Sequence, residues 1–131
     1  MSEPTQHAVD TARRWLEAEP DADIRDELDE LIERRDPSLD ERFAGRLQFG
    51  TAGLRAAVGA GSMRMNRLVV RQAAAGLARN LLATDSRDSE RGVVVGRDSP
   101  RKSDLFAADT ARVLAAAGIR VHLFDQVVPT P

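Results

Sequence analysis

From residue 46 onward, short apolar runs alternate with longer runs at helical spacing. Leu47 and Phe49 form a strand at 46–49 that stops at Gly50. Leu68, Val69, Ala73, Leu77, Leu81 and Leu82 repeat at the period of a helix over about 67–83, with Asn66 as its N-cap. The Ala73-Ala74-Ala75-Gly76 run in it suits close packing. Gly92-Val93-Val94-Val95-Gly96 is a continuous apolar run, the pattern of a strand buried on both faces. Ser103 caps a helix over about 104–117 whose core stripe is Leu105, Phe106, Ala108, Val113 and Leu114, and Gly118 closes it. A last strand, 119–124, alternates apolar residues with Arg120 and His122. The order strand–helix–strand–helix–strand predicts an α/β fold: βαβ units with a mostly parallel sheet between helices. Ligands of such sheets bind beyond the carboxyl ends of the strands. Three polar loops, 50–55, 97–103 and 125–131, should meet there and bring Arg55, Arg97 and the Arg101-Lys102 pair together.

Residues 1–45 read differently. Val9, Ala12, Trp15 and Leu16 give a helix over 5–18 one apolar face, with Trp15 as its anchor. Pro20 breaks it, and Asp21 or Asp23 caps a second helix over about 23–35 carrying Ile24, Leu28, Leu31 and Ile32. The acids Asp26, Glu27, Asp29, Glu30 and Glu33 form its solvated face. Ser38-Leu39-Asp40-Glu41 has the spacing of a capping box opening a short helix to Ala44. The chain thus divides into an acidic helical extension, 1–45, and an α/β part, 46–131.

Charge divides at the same place. The net charge of −2 is the sum of −8 over residues 1–45 and +6 over 46–131. The basic part suits an anionic ligand. Nucleic acid is disfavoured, because the chain has neither a basic run of five nor an aromatic stacking platform. With no cysteine, disulfides, thiolate metal sites and a thiol nucleophile are excluded. His7 and His122 are the only histidines, so a histidine metal site or a Ser-His-Asp triad is not expected. No apolar run approaches the roughly 20 residues of a membrane span, and nothing resembles a signal peptide; the expected location is cytoplasmic.

The stretch Leu47–Asn66, LQFGTAGLRAAVGAGSMRMN, carries the chemistry. Glycines let backbone N–H groups reach a ligand, and successive N–H groups in turns make a concave anion site. An arginine beside such a turn adds a planar fork for phosphate oxygens. Thr51, Gly53 and Arg55 are the candidates in the first turn, and Gly59-Ala60-Gly61-Ser62 with Arg64 and Arg67 forms a second glycine-rich piece. The same pattern also describes a glycine-rich loop with solvated arginines. A dinucleotide fingerprint is not met, since Gly59-Ala60-Gly61-Ser62-Met63-Arg64 lacks the third glycine.

FGTAGLR at 49–55, Gly59-x-Gly61 with Arg64-Met65-Asn66, VVVGRDS at 93–99 and VVPTP at 127–131 together resemble the first domain of the α-D-phosphohexomutases, the phosphoglucomutases and phosphomannomutases. Ala56 and the helical extension resemble the phosphoglucomutase-2/phosphopentomutase-like branch. The resemblance implies an incomplete domain I of an isomerase that moves a phosphoryl group between the C1 and C6 hydroxyls of a hexose, glucose being the expected one. A phosphoserine, Mg²⁺ and a hexose 1,6-bisphosphate intermediate belong to that chemistry. It implies that Arg55 stabilises the phosphoryl group in flight and that Thr51 and Gly53 shape its loop. Arg97 and Asp98 brace the loop and sheet, and Arg101 replaces an arginine displaced by Pro100.

The nucleophile of that family lies in a Thr-x-Ser-His-Asn-Pro motif and its metal ligands in Asp-x-Asp-x-Asp; neither occurs in this chain. Ser62, Ser99 and Ser103 are not expected to substitute. The chain alone is therefore expected to be inactive, with a phosphorylated sugar and the family's further domains as its partners. A non-catalytic anion-binding or interaction module is the alternative.

Overall fold

The computed structural model describes residues 3–47, 56–84, 92–97 and 102–127, the side chains of 84, 96, 97 and 124–127 excepted. The elements are α1 (Gln6–Ala18), α2 (Ala22–Glu33), α3 (Ser38–Arg42), α4 (Arg67–Thr84), β1 (Val93–Arg97), α5 (Ser103–Ala116) and β2 (Val121–Val127). They fall into two compact units, Met1–Val69 and Val70–Pro131.

In the first unit the expected helical faces are the buried ones. Val9 and Ala12 of α1, Ile24, Leu28 and Leu31 of α2, and Leu39 of α3 form one cluster with Ala60. Burying one such leucine contributes roughly 1.5–3 kcal/mol relative to leaving it in water. Trp15 packs edge-on against Phe43, ring centroids 5.7 Å apart, and its indole N–H donates to Glu19 Oε2 at 2.9 Å. Burial pushes the Glu19 carboxyl above its ordinary range, partly offset by that indole bond. Asp21, not Asp23, caps α2.

Thr5 caps α1 by accepting from the Ala8 amide at 3.1 Å. Both its own amide (3.0 Å) and its hydroxyl (2.8 Å) donate to Asp40 Oδ1, tying the start of α1 to α3. The expected capping box does not form. Ser38 is the first helical residue, and its amide is taken by Asp36 Oδ1 at 2.8 Å. Pro37 moves the helix start forward by one residue, since proline suits a position whose N–H has no partner, and Glu41 turns to an arginine instead.

The second unit is a βαβ unit. β1 and β2 are parallel neighbours joined through α5, with Val93 opposite Val121, Val95 opposite Leu123 and Arg97 opposite Val127. The chain leaves α5 through Gly118 at φ 88°, where Gly118 N–H reaches Ala115 O and Ile119 N–H reaches Leu114 O, each at 3.0 Å. Ser103 does not occupy the cap; Lys102 does, in the left-handed region, and Ser103 begins the helix.

Expectations about burial change in α4, β1 and α5. The stripe of α4 is Val69, Val70, Ala74 and Ala78, whereas Leu77 and Leu82 are exposed. Among the described residues nothing lies within 4 Å of where a Gly76 Cβ would be, so no close packing at Gly76 is seen there. β1 is not buried on both faces among the described residues. Ala78, Ala107 and Leu114 cover the face carrying Val95, while Val94 remains 62% exposed. The core stripe of α5 also differs from the apolar count, because Asp109 is fully buried and bound by Arg71 at 3.1 Å. A buried carboxylate is tolerable only with such a partner.

Candidate functional site

Thr51, Gly53, Arg55, Asp98 and Arg101 lie outside the described residues, as does the part of the expected first strand from residue 48. Arg46 and Leu47 take no regular structure. Arg97 is the last residue of β1, and its backbone pairs with Val127 of β2. Of the expected loop 125–131, residues 125–127 are instead strand, so Arg97 and Val127 end the parallel pair side by side at its carboxyl edge.

The described part of the glycine-rich stretch is a turn over 56–66. Met65 N–H donates to Ala57 O at 2.8 Å, Gly59 N–H donates to Met65 O at 3.0 Å, and an isolated bridge pairs Val58 with Met65. Asn66 holds the turn from inside. Its amide nitrogen donates to the carbonyls of Gly59 (2.9 Å) and Gly61 (2.8 Å), and its oxygen accepts from Val69 N–H at 3.0 Å. Asn66 thus caps α4 as the sequence indicates, and it also satisfies two buried carbonyls.

This turn is not an anion cradle. The carbonyls of Gly59, Ala60 and Gly61 face the donors Asn66 and Arg42. Arg42 Nη1 reaches Ala60 O at 3.1 Å and Glu27 Oε1 at 2.7 Å, and its Nε donates to Ser38 Oγ at 3.1 Å. Glu27 is therefore the exception on the acidic face of α2. Arg64 meets Glu41 fork to fork, at 2.7 and 2.5 Å. That bond holds the Glu41 carboxyl below its ordinary range and raises the Arg64 guanidinium further. Neither arginine is a solvated cation awaiting a phosphate. Arg42 was missed in the sequence because its partners lie 15 and 18 residues away. The one available sign was the excess of acid over base in residues 1–45.

Gly61 is required where it stands. At φ 117° a Cβ would lie 2.6 Å from Arg42 O, so the turn rests directly on the end of α3. Ser62 Oγ donates to Gly45 O at 2.5 Å, with Arg42 O a second acceptor at 3.4 Å. Met63 N–H donates to Arg42 O at 2.9 Å. Residues 48–55 are thus flanked by two stems, one held at Gly45 and the other at Ala57 and Gly59, and both are bonded to the same turn. Among the described residues no group of three or more His, Cys, Asp or Glu could hold a metal ion.

Residues 46–131 match the family model for phosphoglucomutase/phosphomannomutase, alpha/beta/alpha domain I. Over 118 residues the chain is 42% identical to a probable phosphoribomutase of Schizosaccharomyces pombe, covering 89% of this chain and 20% of that protein. It is 37% identical to the glucose 1,6-bisphosphate synthase of Mus musculus, covering 94% and 21%. It is 35% identical to the phosphopentomutase of Homo sapiens, covering 90% and 20%. The chain thus spans about a fifth of the length of these relatives. No solved structure matches it.

Proposed function

The chain belongs to the phosphoglucomutase/phosphomannomutase family, in the branch of its phosphopentomutase-like relatives, and from that premise we propose that it is the N-terminal part of a phosphosugar mutase acting on glucose phosphates. In this reading a phosphoserine gives its phosphoryl group to the free C6 hydroxyl of glucose 1-phosphate, leaving a serine hydroxyl and glucose 1,6-bisphosphate. The sugar then reorients. The serine oxygen takes the C1 phosphoryl group, and glucose 6-phosphate leaves. The serine belongs to a further part of the protein, as do the ligands of Mg²⁺, which when bound neutralises phosphoryl charge. A cytoplasmic location is part of the same proposal.

The observation that carries this reading is the family match itself, since 46–131 contains Thr51, Gly53, Arg55, Arg97, Asp98 and Arg101. Phosphoryl transfer asks a protein for positioning and for charge stabilisation on the equatorial oxygens. Arg42 and Arg64 are committed to carboxylates, so that stabilisation falls to Arg55. Thr51 and Gly53 shape the loop that presents it, and Arg97, Asp98 and Arg101 support it.

A pentose phosphate, with transfer between C1 and C5, is the second reading. Two relatives named phosphoribomutase and phosphopentomutase support it. The test is turnover of glucose 1-phosphate and of ribose 1-phosphate by the full-length protein and its Arg55→Ala variant. Turnover of either sugar, lowered in kcat by roughly 100-fold or more in Arg55→Ala, is expected. Wild-type kcat in the variant removes Arg55 from the mechanism, and no turnover of either sugar overturns the assignment.

A further inference from the structure

Ser62 is a serine that the phosphoryl chemistry does not use, and its hydroxyl occupies a defined place. It donates to Gly45 O at 2.5 Å, three residues before the segment 48–55, and lies 3.4 Å from Arg42 O. On the other side of that segment, Ala57 O accepts from Met65 N–H at 2.8 Å. Ser62 and Met65 belong to one turn, and that turn cannot shift freely. Its carbonyls are held by Asn66 and Arg42, its Gly61 backbone abuts Arg42, and Arg42 is itself held by Glu27 of α2.

We propose that Ser62 is a positioning residue for the phosphoryl-transfer loop, its hydroxyl fixing the incoming stem to the turn that also holds the outgoing one. The helical extension supplies the fixed support through Arg42. This rests on the reading that residues 49–55 handle the transferring phosphoryl group. Tying both stems to a single turn fixes the two ends from which the phosphoryl-transfer loop departs, and a small displacement of a catalytic group is expensive in rate. The role differs from catalysis, because Ser62 touches no substrate in this scheme.

The test uses the full-length protein with Ser62→Ala, which removes the donor, and Ser62→Thr, which keeps it. Arg42→Lys serves as an independent variant, keeping the cation near Glu27 but losing the planar fork. The expected result is a kcat about tenfold to a hundredfold lower in Ser62→Ala. KM stays within about twofold, the melting temperature is nearly unchanged, and Ser62→Thr restores the rate. Arg42→Lys should lower kcat in the same sense. Wild-type kcat in both Ser62→Ala and Arg42→Lys overturns the proposal, as does a rate loss that tracks melting temperature and that threonine does not restore. Arg55→Ala, measured in parallel, separates the two ideas. If it is impaired while Ser62→Ala is not, the loop assignment stands and the positioning role falls. If Arg55→Ala is unimpaired, the loop assignment itself falls.

Discussion

Asn66 donates to the carbonyl of Gly61 at 2.8 Å from a residue with no exposed surface. The same nitrogen serves Gly59, so one side chain satisfies two buried acceptors. Asn66→Asp keeps the oxygen that caps Val69 but replaces both donated bonds with a charge facing carbonyls. Leaving buried acceptors unsatisfied should lower stability by about 2–4 kcal/mol. The urea midpoint of the variant measures this, and a loss below about 1 kcal/mol would mean that the turn is held elsewhere.

Two glycines separate backbone requirement from mere presence. Gly61 combines φ 117° with a Cβ position 2.6 Å from Arg42 O, and Gly76 lies inside α4 with no described residue within 4 Å of its Cβ position. Gly61→Ala should cost more than about 2 kcal/mol, because left-handed strain adds to a clash with backbone that cannot step aside. Gly76→Ala should instead gain about 0.5–1 kcal/mol by removing unfolded-state freedom from a helix interior. Thermal unfolding of the pair checks both signs, and a destabilising Gly76→Ala would reveal a close approach at that helix.

The elements were legible because their signals are local. Asp21 beside a helical repeat, Asn66 before another, and Gly118 after a third each act within a few residues, and the structure puts all three in the expected role. Errors arose where a distant partner decides. Glu27 looks like a solvated acid until Arg42 is seen beside it, and Glu41 looks like a capping-box partner until Arg64 meets it. Asp109 has no place in the apolar stripe read for α5, yet it is buried because Arg71, 38 positions away, meets it. The apolar run of β1 predicts burial on two faces, but burial depends on what covers a sheet, and Val94 is uncovered among the described residues. Of the candidate site, the family pattern was legible in the motifs, while the use of the Gly59–Ser62 turn as a carbonyl-lined brace was not. Glycine spacing gives no sign of whether N–H or C=O groups face inward.

The acids of the first unit give it an asymmetric response to pH. Amide and hydroxyl bonds from Thr5 hold the Asp40 carboxyl below its ordinary range, hydroxyl and amide bonds from Ser38 do so for Asp36, and Arg64 does so for Glu41. A carboxylate depressed in the fold contributes stability above its unfolded value and loses it as pH falls through its folded one. Loss should therefore set in below about pH 4. Asp40→Asn should be less stable than wild type at pH 7, and the difference should shrink as the medium is acidified to about pH 2. Glu19 runs the other way, since its raised carboxyl favours the fold at low pH and that contribution fades as pH rises through its folded value. Urea midpoints for wild type and Asp40→Asn across pH 2–7 check the sign; a difference that stays constant with pH would show that charge on Asp40 is irrelevant.

The helices α2 and α5 end in the same way with different residues at the critical position. Asp36 N–H reaches Leu31 O and Arg35 N–H reaches Ile32 O, as Ile119 and Gly118 reach Leu114 and Ala115. The residue past the cap is left-handed in both, Gly118 at φ 88° and Arg35 at φ 49°. Glycine enters that region without penalty, whereas a residue with a Cβ loses roughly 1–2 kcal/mol there. The Arg35–Glu3 pair, at 3.5 Å and mostly in solvent, offsets little of this. Arg35→Gly should therefore raise stability by about 0.5 kcal/mol, the relieved strain exceeding the extra freedom glycine gives the unfolded chain. Gly118→Ala should lower it by about 1 kcal/mol, with no steric term from the described residues because none lies within 4 Å of the new methyl group. Opposite shifts in the unfolding midpoint are the expected outcome. A loss in Arg35→Gly would mean that the arginine stem, not backbone strain, governs the end of α2.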